Sequence, residues 1–262
     1  MKDKKIAKEI VNLGEITKED TVLEVGGGLG ILTEELARCA GHVYVIEIEH
    51  GLFKALQDRF QDHYNLDIIE GNALTVDLPD VTKVVSNLPY SISSEITFRL
   101  LRQLHFEQAI LMFQKEFAQR LFANPGTQDY SRLTVNIQYQ ADVDQLLDVP
   151  ARMFYPEPSV DSVVVRIRQN KQKPQAKDDF IFYWMINGIF SYPNKNLRRA
   201  LIIWLRNIGA DRNLADDIID LCGGTLNREE KLRTLSIEKL ITLSDAVLES
   251  IEKEQIPDPR GK

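Results

Sequence analysis

Between Thr21 and Phe113, short and almost wholly apolar runs alternate with segments of helical spacing, and few architectures accept that pattern. The runs are TVLEV (21–25), HVYVIEI (42–48), LDIIEG (66–71), TKVVSN (82–87) and QAILMF (108–113). Between them, GILTEELARCA (30–40), HGLFKALQDRF (50–60) and residues 93–102 carry apolar side chains on one side of a helix. A strand that is apolar on both faces must be covered on both faces. The pattern therefore predicts an α/β fold, a mostly parallel sheet with helices on either side. Ile6, Ala7, Ile10, Val11 and Leu13 predict an amphipathic opening helix. Further helices are expected over 114–122 and 130–138. Two β-rich runs, 143–149 and 160–168, predict a late hairpin-like pair that adds antiparallel pairing at the sheet edge.

RQNKQKPQAKDD (168–179) is polar, contains proline and lacks apolar periodicity, as a linker does. Beyond it the spacing is helical: Phe180–Phe190, Asn196–Ile208, Leu214–Leu221, Arg228–Leu232 and Ile237–Glu252. Two domains are expected, one over 1–169 and a smaller helical one over 178–255. No apolar run reaches the roughly 20 residues of a membrane span. MKDKKIAKEIV lacks the apolar core and cleavage site of a secretory leader, so a cytoplasmic protein without a membrane partner is expected. The two cysteines, Cys39 and Cys222, have no CxxC context and read as reduced core thiols. The four histidines form no metal-spaced pair, and no metal is expected. Net charge is −7, which disfavours general nucleic-acid binding. Lys195, Arg198 and Arg199 nevertheless cluster at the start of one late helix. They are either a phosphate-contacting face or a solvated one.

Chemistry-bearing residues collect at the ends of the predicted strands. Gly26, Gly27, Gly28 and Gly30 follow the first strand and precede a helix. Such a loop lets a ligand approach backbone amides closely. Glu47 closes the second strand and can accept hydrogen bonds from ribose hydroxyls. The loop does not read GxGxxG, and Glu24 sits inside the first strand. An anion there would repel a pyrophosphate but suit a cationic amino-acid moiety, which points to S-adenosyl-L-methionine. Asn72 follows the third strand and offers a donor and an acceptor to an adenine edge. By itself it would be a turn residue.

Asn87, Leu88, Pro89 and Tyr90 end the fourth strand. The Asn87 side-chain oxygen and the Leu88 carbonyl can accept both hydrogens of an adenine amine, with Pro89 biasing Leu88 to an extended conformation. Tyr90 offers a face for the base to stack on. Phe154, ahead of two prolines, either closes the second face of that base or fills the core beneath a rigid loop.

With these motifs assembled, the chain resembles the small-subunit rRNA adenine N6,N6-dimethyltransferases of the KsgA type, with details most like archaeal members. EVGGGLG (24–30), VIEIE (45–49), GNAL (71–74), SNLPY (86–90), FYPEPSVDSVVV (154–165) and NKNLRRAL (194–201) carry the resemblance. It implies a Rossmann-like methyltransferase domain with a small helical domain, using S-adenosyl-L-methionine. It also implies two adjacent target adenosines in the 3′-terminal hairpin of small-subunit rRNA, methylated by a monomer acting on a pre-30S-like particle during ribosome biogenesis. By carry-over, Gly26, Gly28 and Gly30 hold the methionine part and Glu47 the ribose. Ile48 packs on the cofactor adenine, Asn72 and Ala73 read its edge, and Asn87, Leu88, Pro89, Tyr90 and Phe154 grip the target base. Two departures stand out. The family's Gln-x-Phe-Leu segment ahead of the first helix has no counterpart in MKDKKIAKEIV, which bears on cofactor affinity and closure of the target pocket. Asn72 replaces the more usual Asp, keeping the acceptor without the charge. Three alternatives share parts of the pattern: a large-subunit rRNA methylase of the macrolide-resistance type, a mainly non-catalytic assembly factor, and an NAD-linked dehydrogenase.

Overall fold

In a computed structural model that describes residues 4–170 and 172–261, the apolar runs form one seven-stranded sheet. The chain runs through α1 (Lys4–Leu13), β1 (Thr21–Val25), α2 (Ile31–Cys39), β2 (His42–Glu47), α3 (His50–Arg59), β3 (Leu66–Glu70), β4 (Lys83–Asn87), α4 (Ser93–Gln103) and β5 (Gln108–Gln114). It continues through α5 (Lys115–Leu121), α6 (Arg132–Gln138), β6 (Ala141–Val149) and β7 (Ser162–Gln169). The strand order is β3-β2-β1-β4-β5-β7-β6. The first five strands pair in parallel, and the β6–β7 hairpin adds the expected antiparallel edge.

Burial explains the order. Val22, Leu23, Val84, Val85, Ile110 and Leu111 are fully buried on central strands, as two covered faces require. The edge strands β3 and β6 are half-exposed. They carry Asp67, Glu70, Asp142, Asp144 and Asp148, and β6 is bulged between Gln145 and Leu147. Edge charges and bulges discourage pairing with another chain. Ala7, Ile10 and Val11 of α1 enter the same core as Leu32, Leu36, Val45 and Leu56. After β1 the chain builds outward to β3, then returns to β4 on β1's other side. That reversal opens a crevice at the strands' carboxyl ends.

The chain divides into two compact units: residues 4–119 with 141–170, and 120–140 with 172–261. They do not follow a single cut at 169, because residues 120–140 pack with the helical unit. Two tyrosines show why. The Tyr139 ring stacks on Phe182 at 3.9 Å, and the Tyr130 hydroxyl donates to the Leu235 carbonyl at 2.8 Å. Both rings are buried and need aromatic neighbours and an acceptor that the helical unit supplies. The expected linker is also held there, with Lys173 Nζ donating to the Gln138 carbonyl and the Lys177 N–H to Asp245.

The helical unit contains α7 (Asp179–Ile189), α8 (Leu197–Asn207), α9 (Leu214–Leu221) and α10 (Ile237–Glu252). Asp178, Asn196 and Ser236 cap α7, α8 and α10 by accepting a backbone N–H three residues on. The helix expected over Arg228–Leu232 is absent. Asn227 makes a tight turn with Glu229, and the segment then pairs with α8's entrance, the Leu197 N–H donating to the Glu230 carbonyl at 2.8 Å. One 3₁₀ turn, Leu232–Thr234, follows.

Candidate functional site

A cavity of about 490 Å³ lies at the carboxyl ends of β1, β2 and β4, within the sheet unit. That is the size range of small-molecule sites. Its floor begins where β1 ends. Gly26 and Gly28 adopt left-handed backbone (φ 79° and 55°), which L side chains rarely take. A Cβ on Gly28 would meet nothing within 4 Å, so the α-carbon faces open space. A Cβ on Gly26 would sit 3.3 Å from Pro89 Cγ, so the glycine loop abuts the turn that ends β4.

Glu47 closes β2 and is almost fully buried on the cavity wall. Its Oε2 accepts the Gly28 N–H at 2.9 Å and its Oε1 the Glu49 N–H at 3.0 Å. A carboxylate has about four acceptor sites, so capacity for hydroxyl donors remains. Ile48 is exposed and lines the same cavity, as does Ala73. Asn72 Oδ1 accepts the Leu74 N–H at 2.9 Å. Asn72 is thus both a turn-maker and a cavity residue, and its amide nitrogen remains as the donor. This wall fits a nucleoside-bearing cofactor: it offers carboxylate acceptors for hydroxyls, an apolar side chain and an amide donor.

Two predicted cofactor residues lie outside the cavity lining. Glu24 does not line the cavity; its side chain is buried and Oε2 accepts the Thr33 hydroxyl at 2.6 Å. Burial pushes its carboxyl up to about 8, with Glu47 adding to the rise and the Thr33 bond opposing it. Burial thus favours the neutral form of Glu24 over the anion expected there. A raised folded-state value means the native state binds the proton more tightly, so stability falls as pH rises from about 4.5 to about 8. Glu24→Gln keeps the Thr33 bond and removes that slope, at most about 1.4 kcal/mol per pH unit. Urea unfolding of both proteins at pH 5 and pH 8 tests this. Parallel pH dependences would contradict it.

Gly30 is also absent from the lining. It turns the chain into α2 with φ 78°, and a Cβ there would meet Phe60 and Leu56 at 2.7 and 2.9 Å. It is required for packing of α2 beside α3.

The β4 end completes the site. The Ser86 hydroxyl donates to the Val25 carbonyl at 2.6 Å and ties β4 to β1. Asn87, Leu88, Pro89 and Tyr90 all line the cavity that Gly26, Gly28 and Glu47 line. Among the described residues, no hydrogen bond is made by the Asn87 side chain or accepted by the Leu88 carbonyl. Two acceptors are thus without a partner at residues that line the cavity. Phe154 combines both expectations: it belongs to the core with Val149, Met112 and Val164, and it lines the cavity. Tyr155 is 79% exposed beside it.

Sequence reasoning missed Arg99. From α4 its guanidinium donates to the carbonyls of Val76 (2.6 Å) and Ala73 and so grips the loop that carries Asn72. No periodicity signals an interaction made 23 residues back in the chain. Two charge-assisted bonds of this kind are each worth about 1.5–3 kcal/mol. Arg99→Ala is expected to weaken cofactor binding by about tenfold with a smaller loss in kcat; titration calorimetry checks it, and an unchanged Kd would contradict it.

In the helical unit, Arg198 is committed to Asp216 through Nε and Nη2 at 2.8–3.1 Å, and Arg228 joins the same carboxylate. The Arg198 and Arg228 guanidiniums hold Asp216 well below the usual carboxylate range. Arg198 is therefore an α8–α9 tie. Lys195 and Arg199 are exposed, with no ion pair among the described residues. Both cysteines are free thiols, and burial pushes Cys222 up to about 11. No helix is long and apolar enough to cross a membrane, among the described residues. Nor does any group of three His, Cys, Asp or Glu among them converge as a metal site would.

The family model described as Ribosomal RNA adenine dimethylase matches residues 1–242. The "Probable ribosomal RNA small subunit methyltransferase A" of Methanococcus maripaludis strain C7 is 40% identical over 253 residues, 96% of each chain. The crystal structure of a dimethyladenosine transferase from Plasmodium falciparum superposes with a TM-score of 0.84 at 28% identity, covering 98% of both chains. That of the 23S rRNA methyltransferase ErmE superposes with a TM-score of 0.69 at 28% identity, covering 93% of this chain and 97% of that one.

Proposed function

The chain belongs to the ribosomal RNA adenine dimethylase family, a methyltransferase of the small-subunit rRNA type, and from that premise we propose how and where it acts. It transfers methyl groups from S-adenosyl-L-methionine to the exocyclic amines of two adjacent adenosines. These lie in the 3′-terminal hairpin of small-subunit rRNA. It works as a cytoplasmic monomer on a pre-30S-like particle, coupled to subunit assembly. The observation that carries the reading is that Asn87, Leu88 and Tyr90 share one cavity with Gly26, Gly28 and Glu47.

When bound, the cofactor supplies an electrophilic methyl group on a sulfonium. The chain's residues supply position and charge stabilisation. An adenine amine is a weak nucleophile because its lone pair is delocalised into the ring. The Asn87 oxygen and the Leu88 carbonyl, both without partners among the described residues, accept its two hydrogens and favour the pyramidal form. They then stabilise the positive charge that develops on nitrogen, which is discharged when the methylated amine releases one N–H proton to solvent. Tyr90 supports one face of the base and Phe154 the other. With the cofactor bound, Glu47 would take the ribose hydroxyls, Ile48 would pack on the cofactor adenine, and Asn72 would donate to its edge. Holding the two reactants in line is most of the catalysis.

Tritiated methyl transfer to undermethylated small subunits, with mapping of the labelled base, tests the reading. A parallel arm uses naked large-subunit RNA, because the resemblance to a 23S rRNA methyltransferase is also substantial. Preference for that arm would overturn the small-subunit assignment. On the helical unit, Lys195 and Arg199 are the exposed cations at α8's entrance. Reversing both charges should weaken subunit binding and reduce the salt slope by about one for each phosphate no longer neutralised. An unchanged slope would mean a solvated face. Arg198→Ala should act instead through α8–α9 stability.

A further inference from the structure

The two faces of the target-base slot come from distant segments, and neighbouring residues at the start of β7 hold both. The Tyr90 hydroxyl lies 2.7 Å from Ser162 Oγ. Ser162 is fully buried, paired with Gln114 of β5 and Val149 of β6. Its position is set by the sheet, so the phenol is tethered at its far end to a rigid point. Asp161 Oδ1 accepts the Ala151 N–H at 2.9 Å, and the Asp161 carbonyl accepts the Lys115 N–H at 3.0 Å. Ala151 opens the short 3₁₀ turn Ala151–Met153, which the Phe154 N–H closes on the Ala151 carbonyl at 3.1 Å. Asp161 therefore caps the turn that delivers Phe154.

We infer that Asp161 and Ser162 are the positioning pair of the target-base slot. Ser162 sets the orientation of the Tyr90 ring and Asp161 the station of Phe154, so one strand end sets the spacing of two aromatic walls. The inference rests on the proposed role of Tyr90 and Phe154. Neither residue of the pair touches the reacting atoms. A ring on a free phenol pivots about its own side-chain bonds, and a misplaced base costs rate even when it binds.

The test compares Tyr90→Phe, Ser162→Ala, their double variant and Tyr90→Ala on undermethylated small subunits, with cofactor Kd measured in parallel. Tyr90→Phe and Ser162→Ala each remove the same hydrogen bond and keep a ring. Each should lower kcat/KM for the subunit by about tenfold with unchanged cofactor Kd, and the double variant should be no worse than either. Tyr90→Ala should lose about thirtyfold or more. For the other wall, Asp161→Ala should lower kcat/KM similarly, and Asp161→Asn, which keeps an oxygen for Ala151, should recover most of it. If Tyr90→Ala matches wild type, the stacking role itself fails. If Tyr90→Ala is impaired but Tyr90→Phe is not, or the double variant's losses multiply, the stacking role stands and the positioning pair is overturned. Should Ser162→Ala fail to fold, Tyr90→Phe alone decides that arm.

Discussion

Asn87→Ala should lose methyl transfer by about 10²–10³ in kcat, while the protein still binds the small subunit nearly as well as wild type. The magnitude is that of removing one preorganised hydrogen-bonding group from a developing charge. Asn87 ends β4, which is tied to β1 through Ser86 and Val25, so its backbone is held by the sheet. Alanine leaves the strand intact and deletes one of two acceptors for the amine hydrogens. The Leu88 carbonyl alone cannot orient both. Asn87→Asp keeps an oxygen at the same place and should retain part of the activity. Single-turnover methyl transfer, with subunit binding measured separately, reads the split. Full activity in Asn87→Ala would remove the mechanism. Equal loss of binding and turnover would mean Asn87 serves docking.

Trp204→Ala should destabilise the helical unit by about 3–5 kcal/mol. Trp204 is buried on α8, packs against Trp184 at 4.8 Å, and lies directly over Gly188 of α7. A Cβ on Gly188 would sit 2.1 Å from the indole, so α7 and α8 approach this closely only because that residue has no side chain. Gly188→Ala should itself cost about 1–3 kcal/mol by overpacking. The two changes should not add, because removing the indole makes room for the new methyl group. Both tryptophans of the chain, Trp184 and Trp204, lie in this unit. Trp184 fluorescence during urea unfolding thus reports it even in Trp204→Ala. Strict additivity would show that the close approach at Gly188 is not what limits the packing.

Much of the site could be read from the order of residues alone. Glycine after β1, a carboxylate closing β2, an asparagine after β3 and NLPY closing β4 each sit at a strand's carboxyl end. In a parallel sheet those ends share one rim, so motifs far apart in sequence had to meet. Glu24 and Gly30 show the limit. They stand within two residues of cavity-lining glycines, yet one carboxyl faces Thr33 and the other backbone packs on Phe60. Spacing along a strand says which residues reach an end. It does not say on which side of the turn a side chain emerges.

By itself the sequence determined the parallel sheet, the helical tail and the position of the chemistry, because apolar periodicity reports which faces must leave water. Only the tertiary structure decided that residues 120–140 pack with the helices, that the Glu24 carboxyl is buried against Thr33, that Arg198 pairs with Asp216, and that Ser162 and Arg99 reach Tyr90 and the loop carrying Asn72. Each depends on a partner distant in the chain. Burial energies and hydrogen bonds are set by that partner's distance, and no local pattern encodes it.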